Sequence, residues 1–260
     1  MYNTDRAHRP DYHLCSYGAS RLSFRGPPSG TDAPFCVTLG GSETFGTGVD
    51  EPFPASLARL LGRPVINLGC PNAGLDALVA DDTVMAICAR AHLTVVQVLG
   101  AQYLSNSYYS VHPRRNDRFL RARAPLQNLF PEVEFARFHF TGHMLQELHA
   151  VSPTRFAVLL ADLQQHWVAR MQQLAARLSR RSVLLWLTPQ PPATTGPAPA
   201  APFVDCGTLA QVRGEFTAFV QADLPVQDCG AADTAQGPGT AAHDALARQL
   251  APVVDRLIAC

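Results

Sequence analysis

FCVTLGGSETFGTGV, residues 35–49, decides how this chain is read. Its first half is a short apolar, β-prone run that ends in two glycines, the pattern of a strand buried on both faces. A serine follows the glycines at once, and two further glycines, Gly46 and Gly48, follow within six residues. A serine placed beside glycines at a strand exit can present its hydroxyl while nearby backbone N–H groups face a developing oxyanion. Ser42 is therefore the candidate nucleophile.

The same strand-then-glycine pattern recurs downstream. PVINLG (64–69), LTVVQVLG (93–100) and SVLLWLT (182–188) read as buried strands, and LPVQDC (224–229) as a short fifth one. Helical patterns separate them: 52–62 with Gly62 as its C-cap, 75–91, 153–181, 207–221 and 241–258. Apolar strands alternating with helices predict a parallel sheet covered on both faces. The expected fold class is α/β: a flavodoxin-like three-layer α/β/α sandwich with a parallel sheet of about five strands. Residues 1–34 read as an irregular N-terminal arm packed on the domain, and 35–260 as a single domain. Within that domain, 101–152 reads as an elaborated connection and the Pro- and Ala-rich stretch 189–202 as an exposed loop.

In such a sheet the active groups belong to loops beyond the carboxyl ends of the strands. Those loops carry Ser42, Gly74, Gln102 and Asn106, and His243 stands near the start of the last helix. A distant His can serve a Ser as general base. Ser42 and Gly74 can supply backbone N–H groups to an oxyanion hole, and Gln102 or Asn106 can supply a side-chain amide.

These blocks resemble those of the SGNH (GDSL-like) hydrolases. Gly40 to Val49 matches a first block of the form GGSxTxGxGV, followed by Phe53-Pro54 and Leu57. Asn67-Leu68-Gly69 and then Gly74 match the second block. Gln102 stands where the third block has Asn, and Thr240 stands where the fifth block has the Asp that precedes its His by three residues. The resemblance implies an esterase or acyl-transfer serine hydrolase with Ser42 as nucleophile and His243 as base, the ring oriented by a backbone carbonyl or by Asp228 or Asp233. The two departures favour a second reading, a non-hydrolytic binding protein on the same scaffold. Taken whole, the chain resembles an uncharacterised bacterial family, domain of unknown function 6473, through its LGGxET, NLGxxNAGxD, GAQxxSN and VHPRRNDRFL stretches.

Arg114, Arg115 and Arg118 form an anion-binding candidate, since guanidinium pairs with carboxylate, phosphate or sulfate; a solvated helical face is the competing reading. His139, His143 and His149 stand at i, i+4 and i+10, so only the first two share a helix face and no third ligand completes a metal site; seven scattered cysteines without a CxxC pair suggest neither a disulfide framework nor a zinc site. No metal or other cofactor is expected. All 21 basic residues are Arg and are balanced by 21 acidic ones, so no basic footprint for nucleic acid is expected. Without Lys there is no Schiff-base or P-loop lysine. The polar N-terminus and the lack of a long apolar run predict a cytoplasmic protein with no membrane span. The expected partner is a small-molecule or acylated substrate, and nothing in the pattern assigns an oligomeric state.

Overall fold

In the computed structural model, residues 10–188, 203–224 and 239–259 are described. The arm from residue 10 pairs with itself through an antiparallel bridge between Cys15 and Phe24. It buries Leu22 and Phe24 against the domain. Strand β1 (Cys36–Gly40) leads into the single turn α1 (Ser42–Phe45), then α2 (Phe53–Leu61) and β2 (Val65–Gly69). Next come α3 (Leu75–Val79), α4 (Asp82–Arg90) and β3 (Leu93–Gln97).

The elaborated connection contains a 3-10 turn (Ala101–Tyr103) and an antiparallel hairpin, β4 (Tyr109–Val111) with β5 (Phe119–Ala122). It continues through α5 (Ala124–Leu129) and α6 (Thr141–Val151). The chain then runs through α7 (Pro153–Ala175), β6 (Ser182–Thr188), α8 (Cys206–Arg213), β7 (Ala218–Asp223) and α9 (Thr240–Ala259).

The main sheet has the order β2-β1-β3-β6-β7, and every pairing in it is parallel. This is the flavodoxin-like order, with its switch point between β1 and β3. Successive strand residues point to opposite faces, and both faces are covered. Val37, Leu39, Ile66, Leu68 and Val96 join one core with α3, α4, α7 and α8. Cys36, Val65, Leu93, Val95 and Val183 join the other, with α2 and α9. The architecture is the expected three-layer sandwich.

Three local expectations are corrected. The helix read over 75–91 is broken in two, because the Asp81 carboxylate accepts the Val84 N–H (3.0 Å) and starts a new helix there. The helix read over 207–221 ends at Arg213, before Gly214, and Ala218–Asp223 is the edge strand instead. The strand expected at 224–229 is thus displaced toward the N-terminus; residues 225–229, like the loop 189–202, lie outside the described residues. Apolar spacing had merged a helix and a strand that lie a few residues apart.

No helix among the described residues is long and apolar enough to cross a membrane.

Candidate functional site

Ser42, Gly74 and Gln102 follow the carboxyl ends of β1, β2 and β3, as the topology requires. The turn from β1 into α1 is held from β3 by one amide. Gln97 Oε1 accepts from Gly41 N–H (3.1 Å), Thr44 N–H (3.2 Å) and Thr44 Oγ1 (2.5 Å), and its Nε2 donates to Glu43 Oε2 (2.7 Å). A Cβ on Gly40 would lie 2.4 Å from Gln97 Oε1 and 2.2 Å from Thr44 Oγ1, so the close approach requires glycine there. Asn67 fastens the other side, donating to Thr44 O (2.9 Å) and accepting from Gly69 N–H (2.8 Å). The result is a half-buried Ser42 whose hydroxyl has no hydrogen-bond partner among the described residues, next to a carboxylate aimed by Gln97. Glu43 and Gln97 were missed at the sequence level. The available signal was a lone amide inside the buried run LTVVQ, which a parallel strand tolerates only when its polar atoms are satisfied.

Across the switch point lie Gln102, Tyr103 and Asp117. Gln102 and Asp117 are buried, and among the described residues neither Gln102 Oε1 nor Asp117 Oδ1 has a donor. Asp117 Oδ2 stands 3.6 Å from the Arg115 guanidinium. The Tyr103 phenol is pushed up by burial, lowered somewhat by the Gln102 side chain, and raised again by the charges of Asp117 and Glu43. It is therefore a protonated donor at neutral pH.

The other candidate residues make the following contacts. His243 is not paired with Ser42. It is fully buried at the fourth position of α9, its Nδ1 accepts the Phe53 N–H at the start of α2 (3.1 Å), and its Nε2 has no partner among the described residues. Its ring stacks on Phe53, with centroids 6.0 Å apart and planes 16° apart. Burial, assisted by the Arg25 charge, lowers its pKa to about 4. A base must lie within hydrogen-bond reach of the proton it takes, directly or through one water; among the described residues the His243 ring makes no hydrogen bond to Ser42. The expected orienting acids Asp228 and Asp233 lie outside the described residues.

Gly74 N–H is engaged, since it donates to Asn116 Oδ1 (2.7 Å), which also accepts Ala77 N–H (3.1 Å). Asn106 spends its amide on its own loop, accepting from Tyr108 N–H and Tyr109 N–H and donating to Leu104 O. Neither is placed as a free oxyanion donor. Of the arginines, Arg114 and Arg115 line a cavity of about 650 Å³ beside the end of α1 that Ser42 does not line. Arg118 stacks on the Phe140 ring at 4.3 Å instead. His143 and His149 meet Phe138 and Phe156 edge-on, and among the described residues no cluster of three or more His, Cys, Asp or Glu could hold a metal.

Comparison with known proteins gives a family and a set of distant structural likenesses. The family described as "Domain of unknown function (DUF6473)" matches residues 1–258. No functionally curated protein matches the sequence. An acetyl xylan esterase from Butyrivibrio proteoclasticus is 7% identical, with a TM-score of 0.49 over 91% of this chain and 67% of that one. A family two carbohydrate esterase from Clostridium thermocellum, solved with cellohexaose, is 11% identical, with a TM-score of 0.44 over 87% of this chain and 65% of that one. A protein assigned to the lipolytic G-D-S-L family from Desulfitobacterium hafniense is 15% identical, with a TM-score of 0.41 over 85% and 99%.

Proposed function

The chain belongs to the family of domain of unknown function 6473, and we propose that it is a non-hydrolytic binding protein on an SGNH-like scaffold, holding an anionic ligand through Arg114 and Arg115. The observation that carries this reading is the state of His243. A serine hydroxyl is a weak nucleophile until an adjacent base takes its proton, and here the imidazole accepts a backbone N–H deep in the core. Protonating Nδ1 would break that bond and place a charge in an apolar layer, in keeping with a pKa of about 4. The engaged Gly74 N–H and Asn106 amide point the same way, since an oxyanion hole needs donors free to face the developing charge.

A serine hydrolase or acyl-transfer enzyme acting on an ester is the second reading. It is favoured by the unpartnered Ser42 hydroxyl beside the fixed Glu43 carboxylate, and it would draw its base from elsewhere than His243. Intact-mass analysis after treatment with a fluorophosphonate probe separates the two. The binding reading expects no adduct on Ser42, and no p-nitrophenyl acetate turnover above that of Ser42→Ala. A stoichiometric adduct that Ser42→Ala abolishes would overturn it in favour of the hydrolase, whose Ser42→Ala variant should lose several orders of magnitude in rate.

A further inference from the structure

We infer that the cavity between the N-terminal arm, the end of α1 and the turn at 112–115 binds a small amphiphilic oxyanion: a carboxylate or phosphate group carried on an aromatic or short aliphatic body. The inference deepens the binding reading above and rests on it. It adds a third cation from the arm, Arg21, and a ligand class.

The rim consists of Arg21, Arg114, Arg115 and His112, and among the described residues no Asp or Glu lines the cavity. Arg21 and Arg114 form no ion pair among the described residues, and Arg115 approaches only Asp117, at 3.6 Å. On their far side Arg21 and Arg114 also border a groove containing Asp81 and Asp82. Those acids are already engaged: Asp81 accepts from the Ser20 hydroxyl (2.7 Å) and caps α4, and Asp82 pairs with Arg177 (2.9 Å). Three exposed guanidiniums line one cavity, with only the Asp117 carboxylate near one of them among the described residues, so their mutual repulsion favours an anion between them.

The rim is built in advance. His112 Nδ1 accepts Arg114 N–H (3.3 Å) and Arg115 N–H (3.2 Å), and the buried Asn116 ties the turn down by donating to His112 O (2.8 Å). With Nδ1 used as an acceptor, the neutral imidazole carries its proton on Nε2 and adds a donor to the rim.

The rest of the wall combines the apolar side chains of Leu14, Leu22, Phe45, Cys70 and Pro71 with the hydroxyl-bearing Tyr12, Ser23 and Thr47. Burial pushes the Cys70 thiol up to about 11, so it adds no competing charge. A cavity of about 650 Å³ lies within the usual range for small-molecule sites and far exceeds what a bare tetrahedral oxyanion fills. Cations and hydrocarbon around one cavity therefore call for a ligand with both.

Calorimetric titration of the full chain with phenyl phosphate, benzoate, inorganic phosphate and benzyl alcohol tests this. We expect phenyl phosphate or benzoate to bind at least tenfold more tightly than inorganic phosphate, and benzyl alcohol to give no measurable heat. Arg21→Ala and Arg114→Ala should each weaken the preferred ligand about tenfold while leaving the thermal midpoint within a degree or two. Whichever of the two aryl anions binds better identifies the head group. If the aryl anions bind no better than inorganic phosphate, or the two Arg replacements leave binding unchanged, this inference fails and the broader binding reading survives. If none of the three anions binds at all, both fail.

Discussion

At the scale of single residues, the informative side chains are buried polar groups. His243 illustrates this with a sign that can be worked out. Its folded pKa, about 4, lies below the ordinary value of 6.5, through burial first and the Arg25 charge second. The unfolded chain therefore takes up the proton first as pH falls. The stability that the neutral ring contributes is complete above pH 6.5 and is lost between there and about pH 4. A shift of this size corresponds to about 3 kcal/mol. In His243→Gln the amide oxygen can still accept the Phe53 N–H but does not titrate. Urea unfolding should show the stability gap between wild type and variant closing by most of that amount from pH 7 to pH 4. A gap equal at both pH values would remove the buried-imidazole account. Gln97 is the same kind of residue without a titration: a buried amide whose bonds decide where Ser42 and Glu43 stand.

At the scale of elements, short polar devices override apolar periodicity. Asp81 divides one expected helix into α3 and α4. Trp167 on α7 donates to Leu99 O (2.7 Å), pinning the longest helix to the exit of β3. Asn116 is the most consequential of these. It is fully buried, and it joins the start of α3 to the turn that carries Arg114 and Arg115. Asn116→Leu would strand two buried N–H groups and one carbonyl, and each orphaned group costs about 1–3 kcal/mol. We expect a loss of several kcal/mol in denaturant unfolding. Amide exchange should accelerate at Gly74 and Ala77, whereas the β1 and β3 amides stay protected. Unchanged exchange at both positions would mean that Asn116 is not the tie.

At the scale of the whole molecule, the N-terminal arm belongs to the site's architecture. Arg25 is buried and donates to Gly46 O (2.8 Å), Val49 O (2.7 Å) and Asp50 O (2.6 Å), so the arm clamps the loop between α1 and α2. Arg21 and Leu22, a few residues earlier, form part of the cavity. The Arg25 charge also helps to keep His243 neutral. Arg25→Met keeps much of the side-chain length but removes the donors and the charge. It should destabilise the fold by about 3 kcal/mol, as expected for charged hydrogen bonds to buried carbonyls. It should also raise the His243 pKa, measurable from the imidazole proton shifts in an NMR titration. A His243 pKa that is unchanged would separate the arm from the core it is argued to influence.

The sequence by itself determined the layer order of this protein. Runs such as CVTLG, VINLG and SVLLWLT are apolar on both faces, and only a sheet covered twice can bury them; alternation with helices then makes that sheet parallel. It also placed Ser42, Gly74 and Gln102 at one edge, because in this topology every strand exit lies there. The tertiary structure alone decided what those residues can do. Gly74 N–H and the Asn106 amide look available in a linear reading, and whether a donor is free depends on Asn116, forty-two residues from Gly74, and on the local loop. His243 lies in the expected part of the chain, but its ring meets Phe53, 190 residues away, rather than Ser42. Spacing along the chain reports the period of an element. The partner of a polar atom is set by packing between elements, which no local pattern encodes.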